Sequence, residues 1–474
     1  MRDLLDLLRR NWLFFALSTA AALGLRLLFV FKFPHIEGDS LIYGDIAKNW
    51  LAHGIYGIAD NGFIRPTLIR LPGYPAFLAA TFSVFGQEHY TAVMVLQALI
   101  DTNTCLVISA LALELMGARA AKTAYLLAAL CPFLANYAAA PLSETLAIFC
   151  TAHALYYSVR GLKALQAAKP GIQVWAAAGL WTGIGLLMRP DDGIVLAVIG
   201  MALLVTLATS RNRKQVVAAG LLVTAVSLAP LAPWTIRNWR TFHVFQPLAP
   251  RYANEPGEFV PQGFNRWVKT WLVDYVSVDE IYWNVPGQPI DFHLLPERAF
   301  DSRQEYDRTQ ALVSQYNEEK YISPELDSQF ERLAGERIVD NPFRYFVWLP
   351  LLRITDMWLR PRTEMLPVED RWWQFGQHPG ESWFALLWAG LNLFYLIAAL
   401  RGWRSRRLGT CGVLLIGFVV VRSLFLGSLE NPEPRYMLEC FPVVLALAGG
   451  AFSLRQPGFS SNDQRTAEPP EPAS

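Results

Sequence analysis

The sequence predicts an all-α polytopic membrane protein: a bundle of about ten transmembrane helices, with interfacial helices and a small external subdomain on one face. Three observations predict it. Apolar residues make up 53% of the chain and charged residues 17%, whereas a soluble domain dresses its surface with roughly 25% charge. The apolar residues gather into stretches that approach the ~20 residues needed to cross hydrocarbon. Basic residues collect in every second connection between those stretches.

The predicted spans are Trp12–Phe31, Thr91–Met116, Thr123–Tyr137, Leu142–Val159, Ile172–Met188, Gly193–Thr209, Val216–Ile236, Trp383–Leu400, Leu408–Leu426 and Tyr436–Leu454. The first is longer than a signal-peptide core and lacks a small-residue cleavage pattern, so it reads as a retained helix. Arg2, Arg9 and Arg10 precede it. Arg119 and Lys122, then Arg160, Lys163 and Lys169, then Arg211, Arg213 and Lys214, then Arg401, Arg404, Arg406 and Arg407 mark four later connections. With ten spans all five clusters share one side, which the positive-inside bias assigns to the cytoplasm with both termini.

The opposite face then holds segment 32–90, the turns at Glu144 and at Arg189–Asp192, region 237–380, and the turn Glu430–Arg435. Leu71–Phe85 would be about 22 Å long as a helix, short of the roughly 30 Å core, and Phe343–Leu359 carries Arg344, Arg353 and Asp356. Both read as interfacial helices. The chain divides into 1–236, a transmembrane module with first outer loop 32–90; 237–380, an external region; 381–454, the last spans; and 455–474, a polar, Pro-rich tail expected to be disordered on the cytoplasmic side. Trp239, Trp267, Trp271, Trp283, Trp348, Trp358, Trp372 and Trp373 in the external region suit the headgroup zone.

The net charge of +1 argues against nucleic acid. Cys105, Cys131, Cys150, Cys411 and Cys440 lie in or beside spans without CxxC spacing and read as packing residues. No HxxxH, HExxH, GxGxxG or P-loop pattern occurs, so no metal site is assigned. Asp39 with Glu37 could hold a divalent cation, but two carboxylates are weak ligand evidence.

The residues with chemical potential lie on the outer face. Asp39 is expected to cap a helix from Ser40, with Asp39, Tyr43, Ala47 and Leu51 on one face and Gly54 closing it. A carboxylate at a water–lipid boundary is also desolvated enough to serve as a general base. Arg65 and Arg70 flank a Pro/Gly turn, where they either snorkel to headgroups or clamp a phosphate. Glu144 begins the fourth span, Arg189 ends the fifth, Arg237 ends the seventh and Arg435 opens the tenth. Arginines at outer ends run against the cytoplasmic bias, and an anionic substrate is one explanation.

Asp39, Tyr43, Ala47, Leu51 and Gly54, followed by RLPGYPAFLA, SETLAIF, RPDDG, PWTIRN and RYMLECFP, resemble the family 39-like glycosyltransferases of the GT-C superfamily. The motifs recur in order across about residues 15–450. The resemblance implies a polyprenyl-phosphate sugar donor, transfer on the outer face of a plasma (bacterial inner) membrane, and inversion at the anomeric carbon. By position, Asp39 matches the family's first-loop acid, the proposed base, and Glu144 a second-loop acid. Arg70 lies near the basic residue set against the lipid phosphate; Arg237 and Arg435 match basic positions at span exits. Arg65 joins these as a phosphate-binding candidate, and Glu37, Tyr43 and Arg189 as further substrate-site candidates. Many relatives carry Asp-Glu where this chain has Glu37-Gly38-Asp39-Ser40, which displaces the second acid. The implied partners are the lipid-linked donor, membrane lipids and a hydroxyl acceptor. A transporter or flippase for a lipid-linked sugar, or a non-catalytic binder, remains the alternative; the first should show intramembrane charges along a path and repeated halves.

Overall fold

The computed structural model describes residues 2–169, 171–405 and 408–453. The expected tail 455–474, and Arg406 and Arg407 of the fifth basic cluster, lie outside the described residues. Helices dominate, and a two-stranded antiparallel hairpin, Gly57–Asp60 with Phe63–Pro66, is the one sheet among the described residues.

Among the described residues, five helices are long and apolar enough to cross a bilayer: Trp12–Lys32, Tyr90–Met116, Pro190–Thr209, Pro379–Arg404 and Gly409–Gly427. Arg213–Leu228 and Leu231–Phe242, bent by 43° at their junction, make a sixth as one broken span. The chain is a multi-pass membrane protein. The other four predicted spans are helical but of different character. Thr123–Tyr137 is split into Ala118–Ala129 and Pro132–Tyr137, and Ile172–Met188 is 17 residues long. Glu144–Gln166 has ample length but carries Arg160 and Lys163. The last is a 3₁₀ turn, Pro434–Cys440, leading into Phe441–Ala451, whose 11 residues are all buried. Such a helix is apolar because protein surrounds it, which hydropathy alone cannot separate from contact with lipid.

Small residues let these helices approach closely. Gly402 meets the Leu447 carbonyl, Gly449 meets that of Ala120, and Ser227 donates to the Gly179 carbonyl at 3.2 Å. Pro132 has no N–H to offer Ala128, so the helix breaks there. Arg26, fully buried, bonds the freed carbonyl of Ala129 (2.9 Å) and the Ala128 carbonyl (3.3 Å), which also accepts from Cys131 N–H, and pairs with Asp101 at 2.7 Å. Lys122 reaches Asn11 (3.2 Å) and Lys163 approaches Glu114 (3.5 Å), so the first three basic clusters meet at one end of the bundle.

At the opposite end the first loop forms helix Asp39–His53, the hairpin, and helix Gly73–Phe85. Asn61 and Gly62, at φ 49° and 85°, supply the left-handed pair a tight hairpin turn requires. Two expectations are corrected here. Asp39 is the first residue of its helix, not the cap: Gly38, at φ 51°, precedes it, and no side chain caps the turn. Leu51 is 41% exposed while Tyr43 and Ala47 are buried, because each i+4 step drifts about 40° and three steps amount to about 120°.

The external region has its own core, with Phe264, Trp267, Trp271, Phe330 and Leu333 packed between helices Gln262–Lys269 and Pro324–Asp340. Trp267 and Trp271 are therefore core residues and not headgroup anchors, whereas Trp239, Trp283, Trp348 and Trp373 are exposed. The five cysteines are free and buried.

Candidate active site

The end of the bundle opposite the basic clusters and region 237–380 enclose a cavity of about 1010 Å³. Glu37, Gly38 and Asp39 line one side, with Glu433, Pro434 and Arg435 from the turn before the last helix. Tyr275–Trp283 and the irregular segment 364–378 form the other side. That segment is tied to the external region by Arg371, which grips Glu280 at 2.6 and 2.7 Å.

Asp39 is placed here because Gly38 turns the chain left-handed, so the helix opens at the cavity with a carboxylate on its first turn. Its Oδ1 accepts from Arg70 Nη2 at 2.6 Å, and Oδ2 lies 3.9 Å from Arg435 Nη2. Arg70 sits 5.8 Å over the ring of Tyr43, which packs edge-on against Tyr74. Burial would raise the Asp39 carboxyl, but Arg70 and Arg435 outweigh it and hold the group below the usual carboxylate range. Burial and the neighbouring Asp39 push the Tyr43 hydroxyl up.

Behind Asp39 the charges continue inward as one chain of contacts. Arg435 Nε lies 2.5 Å from Glu433 and 3.7 Å from Glu144. Glu144 takes Arg189 at 2.9 Å, and Arg189 lies 3.2 Å from both Asp191 and Glu439. Arg422, inside helix Gly409–Gly427, closes the chain on Asp191 (2.6 Å) and Glu439 (2.8 Å). The ring of Tyr436 lies under both Arg189 and Arg435, at 4.9 and 5.3 Å. Asp39 is the open end of this chain, with a side chain 33% exposed against 5% for Glu144 and none for Arg422.

The structure thus gathers Asp39, Arg70, Arg435, Glu144 and Arg189, with Tyr43 beneath and Glu37 on the cavity wall. Glu144 is buried behind Arg435 and is held by Arg189. Arg65 and Arg237 stand elsewhere. Arg65 is exposed on the hairpin and pairs with Asp60 at 3.0 Å. Arg237 donates to the carbonyls of Thr67 (2.7 Å) and Tyr56 (2.8 Å) and lies among the rings of Tyr56, Trp234 and Phe242. It borders a separate apolar groove of about 630 Å³. Among the described residues, no group of three or more His, Cys, Asp or Glu is arranged to hold a metal ion.

Sequence reasoning passed over Arg422 as a partner, and passed over Glu433, Glu439 and the cavity acids Asp279, Glu364 and Asp370. For Glu439 the signal was an acid four residues after Arg435, inside an apolar run. The acids of segment 364–378 are joined to the site by folding across the external region, which no local spacing discloses.

The family model described as dolichyl-phosphate-mannose-protein mannosyltransferase matches residues 66–235. No curated protein matches the chain. Among solved structures, it superposes on the archaeal oligosaccharyltransferase AglB from Archaeoglobus fulgidus, in complex with an inhibitory peptide and a dolichol-phosphate, with TM-score 0.51 and 14% identity. The fold is that of the GT-C glycosyltransferases. The GT-C match covers 93% of this chain and 50% of the AglB chain, so this chain spans about half that relative's length. ArnT from Cupriavidus metallidurans, bound to undecaprenyl phosphate, is also similar, with TM-score 0.40 and 15% identity over 93% of this chain and 77% of that one.

Proposed function

We propose that this chain is a membrane glycosyltransferase that moves a sugar from a polyprenyl-phosphate donor to a hydroxyl acceptor on the outer face of the plasma membrane, with inversion at the anomeric carbon. One observation carries the reading: Asp39, partly open to a large cavity at the bundle end, is flanked by the guanidiniums of Arg70 and Arg435. A base beside two anion-binding groups is what displacement of a phosphate from a sugar requires. As the acceptor oxygen bonds to the anomeric carbon, the bond from that carbon to the phosphate oxygen breaks and its electron pair leaves on the phosphate. The acceptor's proton passes to Asp39, and Arg70 and Arg435 stabilise the phosphate charge. The external region, which supplies the far wall, faces the acceptor.

The intramembrane charges divide: Arg422 belongs to the chain that reaches Asp39, whereas Arg26 and Glu114 stand apart from it. Arg26 is spent on Asp101 and on a helix break, and Glu114 on Arg160 and Lys163 at the other end. Neither leads toward the cavity acids as a transport path would.

Asp39→Asn tests the reading. In a purified assay with a polyprenyl-phosphate sugar and membranes as the acceptor source, turnover should fall by ~10²–10⁴-fold while membrane insertion is kept. Near-normal transfer by that variant would sink the assignment of Asp39 as base.

A further inference from the structure

Asp39 has two properties that conflict. A general base needs a free lone pair and a proton affinity near the working pH. Asp39 instead has Oδ1 bonded to Arg70 and Oδ2 facing Arg435, and those two cations hold its proton affinity down. Arg435 lines the cavity and Arg70 adjoins it through Asp39, each with 19% of its side chain exposed, so both guanidiniums are placed to take an anion there. A phosphodiester offers what a carboxylate offers, two oxygens sharing a single negative charge in a geometry that suits a guanidinium fork. The carboxylate therefore occupies the place an anionic substrate would take.

We infer that Asp39 and the phosphate of a prenyl phosphodiester compete for Arg70 and Arg435, so that binding the anion is what releases Asp39 to act as a base. The inference rests on the donor reading above and adds an order to it, with the lipid phosphate first and the hydroxyl acceptor second. Once the arginines turn to phosphate, Asp39 loses its cations and gains an anionic neighbour. Both changes strengthen it as a base.

The other groups around Asp39 do not remove the competition. Arg189, from the end of Ile172–Met188, acts on Asp39 from a distance and is held by Glu144, Asp191 and Glu439. Tyr43, one turn along the same helix, and Glu433, before the last helix, interact with Asp39 but bring no positive charge. Glu144 lies behind Arg435 and keeps that guanidinium near the site whether Asp39 or phosphate holds its other side.

Binding of methyl farnesyl phosphate to the full chain in nanodiscs tests this. The probe is a prenyl phosphodiester with no titrating proton in the range used. Asp39→Asn, though impaired in transfer, should bind it at least about tenfold more tightly than wild type, because a competing like charge is gone. Asp39→Glu, which keeps the charge, should bind as wild type does. Calorimetry in two buffers at about pH 5 should show proton uptake on binding for wild type and none for Asp39→Asn. Equal or weaker binding by Asp39→Asn, with wild type binding normally, overturns the competition while leaving the donor reading intact. If neither protein binds the diester, the donor reading falls with it.

Discussion

At the scale of residues, the arginines separate by what already holds them. Arg70 and Arg435 face a carboxylate at a cavity, Arg237 is saturated by carbonyls and rings, and Arg65 is 72% exposed on a hairpin. Arg70→Ala should lower transfer by ~10²–10³-fold, as loss of one preorganised donor to a developing anion does. Arg65→Ala should stay within about twofold of wild type, since exposed pairs contribute little. Side-by-side rates with the same donor check both. The acids of segment 364–378 make a pH prediction. Burial, opposed by Arg360 and reinforced by Asp279, pushes the Asp370 carboxyl up to about 6. A carboxyl raised in the folded state costs stability as pH rises from its ordinary value through that raised value, so the penalty is absent below about pH 3 and complete above about 7. Asp370→Asn should therefore raise the melting temperature more at pH 7.5 than at pH 4.5, as read by thermal unfolding in detergent. Asp39 was legible as an acid at the right boundary. Its engagement by Arg70, 31 positions away, was not, because the pair is made by the turn back after the hairpin.

At the scale of elements, the long apolar helices were readable because length and hydropathy suffice for a helix bathed in lipid. Buried short helices were readable as apolar but not as short. The split at Cys131–Pro132 depends on a proline, which the sequence displays, and on a buried cation that accepts the consequence, which it does not. Arg26 is that cation. Arg26→Met should destabilise the bundle by about 3–5 kcal/mol, since it strands the Asp101 charge and the Ala129 carbonyl. Arg26→Met with Asp101→Leu should recover part of that loss, because the double variant leaves no unpaired charge. Thermal inactivation of the purified protein decides between partial recovery and none. Sequence reasoning passed over the hairpin, although Asp60-Asn61-Gly62 between apolar residues is a strong local turn signal. Its role came from tertiary contact: Tyr56, just before it, donates to the Arg70 carbonyl at 3.0 Å and helps set that arginine.

At the scale of the whole molecule, three basic clusters meet at one end of the bundle and the acid–arginine chain lies at the other. By the charge rule the second end is expected to be external. Asn61→Cys on the hairpin should react with a membrane-impermeant maleimide in intact cells, and Asn212→Cys should react only after permeabilisation. The native cysteines are buried and add little background. The reverse pattern would invert the proposed topology. Order of motifs along the chain was enough to suggest the fold because each outer turn keeps its place between spans. It could not show that the external region folds back over the site, since its core packs Phe264 and Trp267 against Phe330, which lies far along the chain.

The cavity has two walls of different parentage. Asp39, Glu433 and Arg435 come from turns fixed to the bundle, where each side chain is tied to charges reaching as far as Arg422. The facing residues come from the external region and from segment 364–378, joined to each other chiefly through Arg371 and Glu280. Change on the first wall disturbs a buried electrostatic circuit, while change on the second alters shape and charge without breaking it. Selection can thus remodel what enters the cavity at little cost to how the bond is broken, and a bundle of this kind can acquire new clients by altering its far side alone.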